Sequence, residues 1–205
     1  MKLKINPTRM ELLRTRRRLE MARRGHKLLK DKLDGLIQRF LHGVKEEQRL
    51  REELESKITN VLIKSALVSA NMGNFLEEAV MLPKQKTFLD LKKINIMGVY
   101  IPEYSLKIEG DFHSYGLAGT PFELDEVLAE FNGLLPDLIK LANKIKMIEL
   151  LSKEIAEIRR RVNALEHILI PELEASVKFI RMKLSEMERG YLTSLMKIKD
   201  IVRAR

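Results

Sequence analysis

Residues 148–202 read IELLSKEIAEIRRRVNALEHILIPELEASVKFIRMKLSEMERGYLTSLMKIKDIV. Apolar side chains recur at Ile148, Leu151, Ile155, Ile158, Val162, Leu165, Leu169, Leu173, Val177, Ile180, Leu184, Met187, Tyr191, Leu195 (with Ser194), Ile198 and Val202, fifteen steps over 54 residues. That spacing is the seam of a coiled coil rather than the alternation of a strand. Between Leu165 and Val177 the steps are 4, 4 and 4, a stutter that locally unwinds a left-handed supercoil. Pro171 lies inside the stutter, where a proline breaks or kinks a helix. The stripe keeps phase on both sides, so a bent but continuous helix is expected.

A helix of this kind needs a partner, and the other end of the chain supplies one. From His26 the positions Leu29, Leu33, Leu36, Phe40, Val44, Glu47, Arg51, Leu54, Ile58, Val61, Ser65, Val68, Met72, Phe75 and Ala79 form a second stripe, fifteen steps over 53 residues, with no proline between Pro7 and Pro83. Thr8 followed by Glu11 reads as a capping box at its start. Asn71-Met-Gly-Asn74 is where fraying is expected. Paired antiparallel with positions summing to about 206, Leu33 faces Leu173, Leu54 faces Leu151 and Ile58 faces Ile148. A slip of one heptad fits almost as well, so period alone fixes the register weakly.

The middle is different in kind. Ile94–Ile101 and Tyr104–Glu109 are β-branched or aromatic runs, read as a short hairpin parted by Pro102-Glu103. Gly110, Gly116, Gly119 and Pro121 mark a loop. A short helix over about 122–133 is expected to end near Asn132-Gly133, with Pro136 opening the main helix. The expected fold is therefore mainly α: a long antiparallel two-helix coiled coil of the N- and C-terminal helices, with a short β-hairpin and loop at the end remote from the termini. Its parts are 1–83, the N-terminal long helix; 84–121, the hairpin and loop; and 122–205, a short helix plus the long C-terminal helix.

Charge is distributed unevenly. Residues 1–30 hold eleven Lys/Arg against two Glu, residues 176–205 hold eight against three acids, and the rest is net −5. In an antiparallel pair both basic segments meet at one tip, placing Arg9, Arg14, Arg16, Arg17, Arg23, Arg24 and Lys27 beside Lys183, Arg189, Lys197 and Lys199. These are the candidate contact residues for an acidic partner surface. Arg159, Arg160 and Arg161 flank seam positions and read as surface charge or as a mid-shaft docking patch.

Several classes of chemistry are excluded. With no cysteine there is no disulfide or thiolate chemistry, and a reducing cytoplasm fits. Residues 1–10 lack the apolar core of a signal peptide, and no run reaches the roughly 18–20 apolar residues of a membrane span. There is no glycine-rich phosphate loop. The histidines at 26, 42, 113 and 167 lack ligand-like spacing, and His26 is read as a seam residue beside surface carboxylates. Acidic pairs such as Glu46-Glu47 and Glu52-Glu53 read as solvated helix faces. No catalytic, cofactor or metal residue is assigned. A basic coiled coil that binds nucleic acid is the alternative from another class, although residues 1–39 contain no aromatic group on which a base could stack.

Three segments in order, Pro7-Thr-Arg-Met-Glu-Leu12, Arg24-Gly-His-Lys-Leu-Leu-Lys-Asp-Lys32 and Arg160-Arg-Val-Asn-Ala-Leu-Glu166 with Ile170-Pro171, resemble the D subunit of archaeal and vacuolar-type (A/V-type) rotary ATPases in its prokaryotic length. The resemblance covers essentially the whole chain. It implies a non-catalytic central rotor shaft, with no cofactor of its own, that couples ATP hydrolysis or synthesis in a catalytic head to ion transport by rotation. Both termini would enter the head of catalytic A and non-catalytic B subunits. The remote end would bind the small F subunit and, through the C subunit (also called d), the membrane rotor ring. Such a protein is cytoplasmic and peripheral to the cell membrane.

Overall fold

Thr8 opens the first helix. Its hydroxyl accepts the backbone N–H of Glu11 at 3.2 Å, which satisfies one of the donors a helix start leaves free. Its own N–H goes to the carbonyl of Asn6, so half of the expected capping box forms. The computed structural model describes residues 6–73, 84–110 and 120–203. Phe75, Ala79, His113 and most of the expected loop before Pro121 lie outside them.

Helix α1 spans Arg9–Met72 without interruption. It ends where Gly73 takes a left-handed backbone (φ 56) and donates its N–H to the carbonyl of Ser69, a conformation that suits glycine at a helix C-terminus. Strand β1, Lys86–Ile96, pairs antiparallel with β2, Val99–Glu109. Helix α2 runs Phe122–Ala164, five residues of π-helix follow at Leu165–Leu169, and helix α3 runs Ile170–Arg203. The chain divides into two units. One comprises residues 1–35 with 156–205, the other residues 36–155.

In both units α1 and the returning helix run antiparallel. Across the first, Arg9 donates to Glu188 at 2.8 Å, Arg23 to Glu174 at 2.6 Å, and His26 lies 3.3 Å from Glu166. Across the second, Lys144 reaches Glu46 at 2.5 Å, Lys57 reaches Asp137 at 3.3 Å, and Lys64 reaches Glu126 at 2.8 Å and Glu130 at 2.7 Å. The seam falls on the expected stripes: Leu36, Leu54, Val61, Val68, Leu151, Ile158, Val162 and Ile180 are all buried.

The register differs from the expected one. Partner numbers sum to 197 at Arg9–Glu188, 194 at Lys57–Asp137 and 190 at Glu46–Lys144, not to 206. Leu54, Val61 and Val68 therefore pack in one cluster with Leu124, Val127 and Leu134, and Leu54 is not opposite Leu151. The cause is the expected break at Asn132-Gly133, which does not occur: α2 is continuous through Gly133 and Pro136. Its first part then offers Leu124, Val127 and Leu134 as further seam positions. A slip of about three turns brings them against α1 while nearly every stripe residue stays on the seam. Proline inside a helix costs roughly 3 kcal/mol, which this extra apolar burial offsets.

Pro171, by contrast, lies in a helix that runs on without a break, as expected. It can give no N–H to the carbonyl four residues back, and the helix widens just before it, with the N–H of Ile170 bonded to Leu165. The π-turn occupies the start of the 4, 4, 4 stutter, so a wider turn takes up the extra residue that the spacing carries.

The hairpin turns at Met97-Gly98, not at Pro102-Glu103. Both turn residues have positive φ, 53 and 90, and the two-residue loop joins Ile96 to Val99, the geometry of a type I′ turn. Asn95 Oδ1 accepts the N–H of Gly98 at 2.8 Å. In such a hairpin the pair next to the turn is hydrogen-bonded, and alternate pairs follow. Pro102, opposite Lys93, then falls at a position whose missing N–H would face away from β1. For that reason the proline sits inside β2 at no cost to the ladder. Tyr104 has the same outward phase, and its N–H and carbonyl are both held by the side-chain amide of Asn143, each at 2.8 Å. The outer edge of β2 is thereby docked on α2.

Candidate functional site: the basic helical end

Every basic residue expected at the tip is exposed: Arg9, Arg14, Arg16, Arg17, Arg23, Arg24 and Lys27 on α1, and Lys183, Arg189, Lys197 and Lys199 on α3. Both sets belong to one unit, which carries twenty-three Lys/Arg against eleven Asp/Glu, a net +12; the unit of residues 36–155 carries fifteen against eighteen, a net −3. Some of this charge is matched locally, by Arg9–Glu188, Arg23–Glu174, Arg24–Glu20 at 3.6 Å and Lys183–Glu186 at 2.8 Å. Lys183 holds the Glu186 carboxyl below its ordinary pKa. Arg14 has only a loose approach to Glu11 at 3.9 Å. The surplus remains strongly positive.

The same end has a second property that its charge does not reveal. From Met187 onward the stripe of α3 has no covering helix among the described residues: α1 begins at Arg9, opposite Glu188. Met187, Tyr191, Leu195, Ile198 and Val202 are 41–72% exposed, and Leu192, Met196 and Ile201 are exposed on other sides of the same helix. A surface helix normally confines its apolar residues to one stripe; one that is apolar on several sides is built to be buried. The signal was present in the sequence, in the off-stripe Leu192, Met196 and Ile201.

Arg159, Arg160 and Arg161 stand outside the seam, between buried Ile158 and Val162. Arg161 is paired with Glu157 one turn back, and Arg159 and Arg160 have no ion-pair partner among the described residues.

Among the described residues no arrangement for bond-making chemistry is visible. Among the described residues no group of three or more His, Cys, Asp or Glu is placed to hold a metal ion. An open groove of about 460 Å³ is lined by residues including Val61, Lys64, Glu130, Gly133 and Leu134. Its charges satisfy one another, since hydrogen bonds to Glu126 and Glu130 raise the pKa of Lys64. Asp137 nearby is held below its ordinary value by Lys140 and Lys57. The pair Glu46-Glu47 is not a solvated face, contrary to expectation. Glu46 is bonded to Lys144, and Glu47 is buried on the seam with one carboxylate oxygen lacking an aligned donor and Arg51 2.8 Å away.

The fold and this end define a class of antiparallel paired-helix protein with an exposed apolar and basic helical end. A family model for the D subunit of ATP synthase matches residues 11–200. The chain is 47% identical over 208 residues to the D subunit of the V-type ATP synthase of Clostridium botulinum, covering 98% of this chain and 96% of that one. The corresponding D subunits of Clostridium novyi and Acetivibrio thermocellus are each 46% identical, over 98% of this chain and 96% and 92% of theirs. The chain belongs to the family of ATP synthase D subunits.

Proposed function

We propose that this protein is the central-stalk rotor subunit of a V-type ATPase, coupling ATP hydrolysis or synthesis in the catalytic head to ion translocation by rotation. Near-full-length identity to V-type D subunits carries the reading. Nothing found speaks for the nucleic-acid alternative. The shaft itself is non-catalytic. Nucleotide-driven closure in the head pushes on it, and the two-helix seam transmits that push as torque.

The partners are the catalytic A and non-catalytic B subunits around the basic end, with the F subunit and the C subunit (d) toward the membrane rotor ring. Location is cytoplasmic and peripheral to the membrane; no described helix is long and apolar enough to cross a bilayer. The exposed apolar side chains of Tyr191–Val202 supply non-directional contact, which does not favour one angular position over another. Exposed ion pairs are worth about 0–1 kcal/mol each, so the arginines guide insertion collectively.

The test is a reconstituted complex assayed for hydrolysis and ion transport. Arg17→Ala or Lys197→Ala alone leaves both nearly intact. Neutralising Arg14, Arg16, Arg17, Arg23 and Arg24 together slows assembly and makes it less salt-sensitive, because fewer charges remain to be screened; transport fails before hydrolysis. A single arginine whose loss abolishes rotation would refute the bearing picture. Failure of the parent chain to assemble with the head at all would refute the assignment.

A further inference from the structure

The two edges of the hairpin are treated differently. On β2 the outward-facing backbone is capped by Asn143 at Tyr104 and lacks a donor at Pro102. On β1 the same phase leaves the N–H and carbonyl groups of Thr87, Leu89, Leu91, Lys93 and Asn95 pointing away from β2. Among the described residues nothing is hydrogen-bonded to that edge. It is eleven residues long, with no proline or glycine to blunt it.

A solvent-facing edge strand is normally short or polar on its faces, because a long apolar edge invites pairing with another chain. Here Phe88 and Ile94 on one face, and Leu89 and Leu91 on the other, are 42–54% exposed. Among the described residues both faces of β1 are thus uncovered, and its edge is unpaired. The charges near the edge are one-sided. Lys84, Lys86, Lys92 and Lys93 are exposed, while the one acid of the strand, Asp90, is bonded to Lys107 at 2.5 Å.

We infer that β1 accepts an additional strand from a partner polypeptide, an acidic extended segment that adds to the sheet at this edge. Main-chain bonds at the five outward residues supply affinity, and apolar side chains alternating along the incoming strand meet Phe88 and Ile94 on one face and Leu89 and Leu91 on the other. The lysines select an acidic segment over a basic one. The partner is another polypeptide of the assembly, so this inference rests on the stalk reading.

Residue-resolved amide hydrogen exchange on the isolated chain and on the chain within the purified ATPase tests it. The amides of Thr87, Leu89, Leu91, Lys93 and Asn95 should slow at least tenfold in the complex. Those of Phe88, Asp90, Lys92 and Ile94, already bonded to β2, should change much less. Unchanged exchange at the five outward amides overturns the proposal. Equal slowing of both sets also overturns it, since that is covering by side chains without strand addition. Protection in the isolated chain that rises with its concentration identifies a second copy as the occupant and overturns it as well.

Substitution gives a second reading. Lys93→Pro removes one outward donor at a position opposite the naturally occurring Pro102, so the hairpin ladder is kept. It should weaken incorporation into the complex at least tenfold, whereas Lys93→Ala changes it less than threefold; equal effects overturn recognition through the backbone. If the parent chain fails to co-purify with the ATPase, the stalk reading has failed. If it co-purifies while the outward amides stay fast, only the strand addition has failed.

Discussion

Two stretches of the same apolar period meet opposite fates. At Leu54, Val61 and Val68 the stripe of α1 is at most 7% exposed, closed by Leu124, Val127 and Leu134. At Tyr191, Leu195, Ile198 and Val202 the stripe of α3 is 56–72% exposed. Composition does not separate them, since both are made mostly of aliphatic residues at coiled-coil spacing. What differs is whether the described residues supply a helix opposite. The period states that a helix needs a partner; where none is found among the described residues, the same pattern marks a surface for another molecule.

The sharpest way to break this comparison is to truncate one residue in each stretch. Leu151→Ala, at a fully buried position, should destabilise the isolated chain by about 2–5 kcal/mol. Ile198→Ala should leave its stability within about 0.5 kcal/mol while reducing recovery with the head subunits several-fold. Urea denaturation followed by circular dichroism and co-purification read the two effects. If Ile198→Ala unfolds the isolated chain as Leu151→Ala does, the end of α3 is core and the distinction collapses.

Seam positions and helix type could be read from the sequence because burial follows period, and from Leu29 to Leu184 nearly every stripe residue is at least half-buried. The register could not. A slip of about three turns preserves the seam, and what selects it is the packing of Leu124, Val127 and Leu134, reached only because α2 ignores Gly133 and Pro136. Pro102 misled for a related reason: a proline excludes a strand only when its missing N–H faces the neighbouring strand, and sequence does not give that phase. Glu47 departs from the expected solvated face because its seam position, not its charge, decides its burial. Of the basic end, the charge is legible by counting, whereas its apolar half shows only in the off-stripe Leu192, Met196 and Ile201.

Register can be sharpened directly. Cysteines replacing Val61 and Leu134 should oxidise to an intramolecular disulfide, while a pair replacing Leu54 and Leu151 should remain reduced, because a disulfide needs Cα atoms about 4.4–6.8 Å apart. Non-reducing electrophoresis after mild oxidation gives the answer. Efficient bridging of the Leu54/Leu151 pair restores the register whose numbers sum to about 206.

A smaller effect concerns the turn of the hairpin. Met97 holds φ 53 beside Gly98, and a type I′ turn prefers Asn at the first of these positions. Met97→Asn should slow exchange of the ladder amides near the turn, because Asn relieves part of a left-handed backbone cost of about 1–2 kcal/mol, with the rest of the chain unchanged. Faster exchange there would mean that the Met97 side chain makes contacts worth more than the backbone strain it imposes.

The smallest expected effect lies on the exposed side of α2, where packing contributes little and charge is all that is tested. Glu149 accepts from Lys146 at 2.8 Å and from Lys153 at 2.5 Å, and these bonds lower its pKa from 4.5 to about 2. A carboxylate whose pKa is depressed by folding stabilises the folded state above its unfolded pKa, and that contribution is lost as pH falls through the folded one. The window is therefore pH 4.5 down to about 2. Because the side chain is 41% exposed, salt screens the pairs and the effect is small. Thermal melts of the parent and of Glu149→Gln should differ slightly at about pH 6, with the parent more stable, and converge by about pH 2. A difference that persists unchanged at the acid end would mean that the substitution acts through helix packing and that the lysine pairs contribute nothing to the stability of this face.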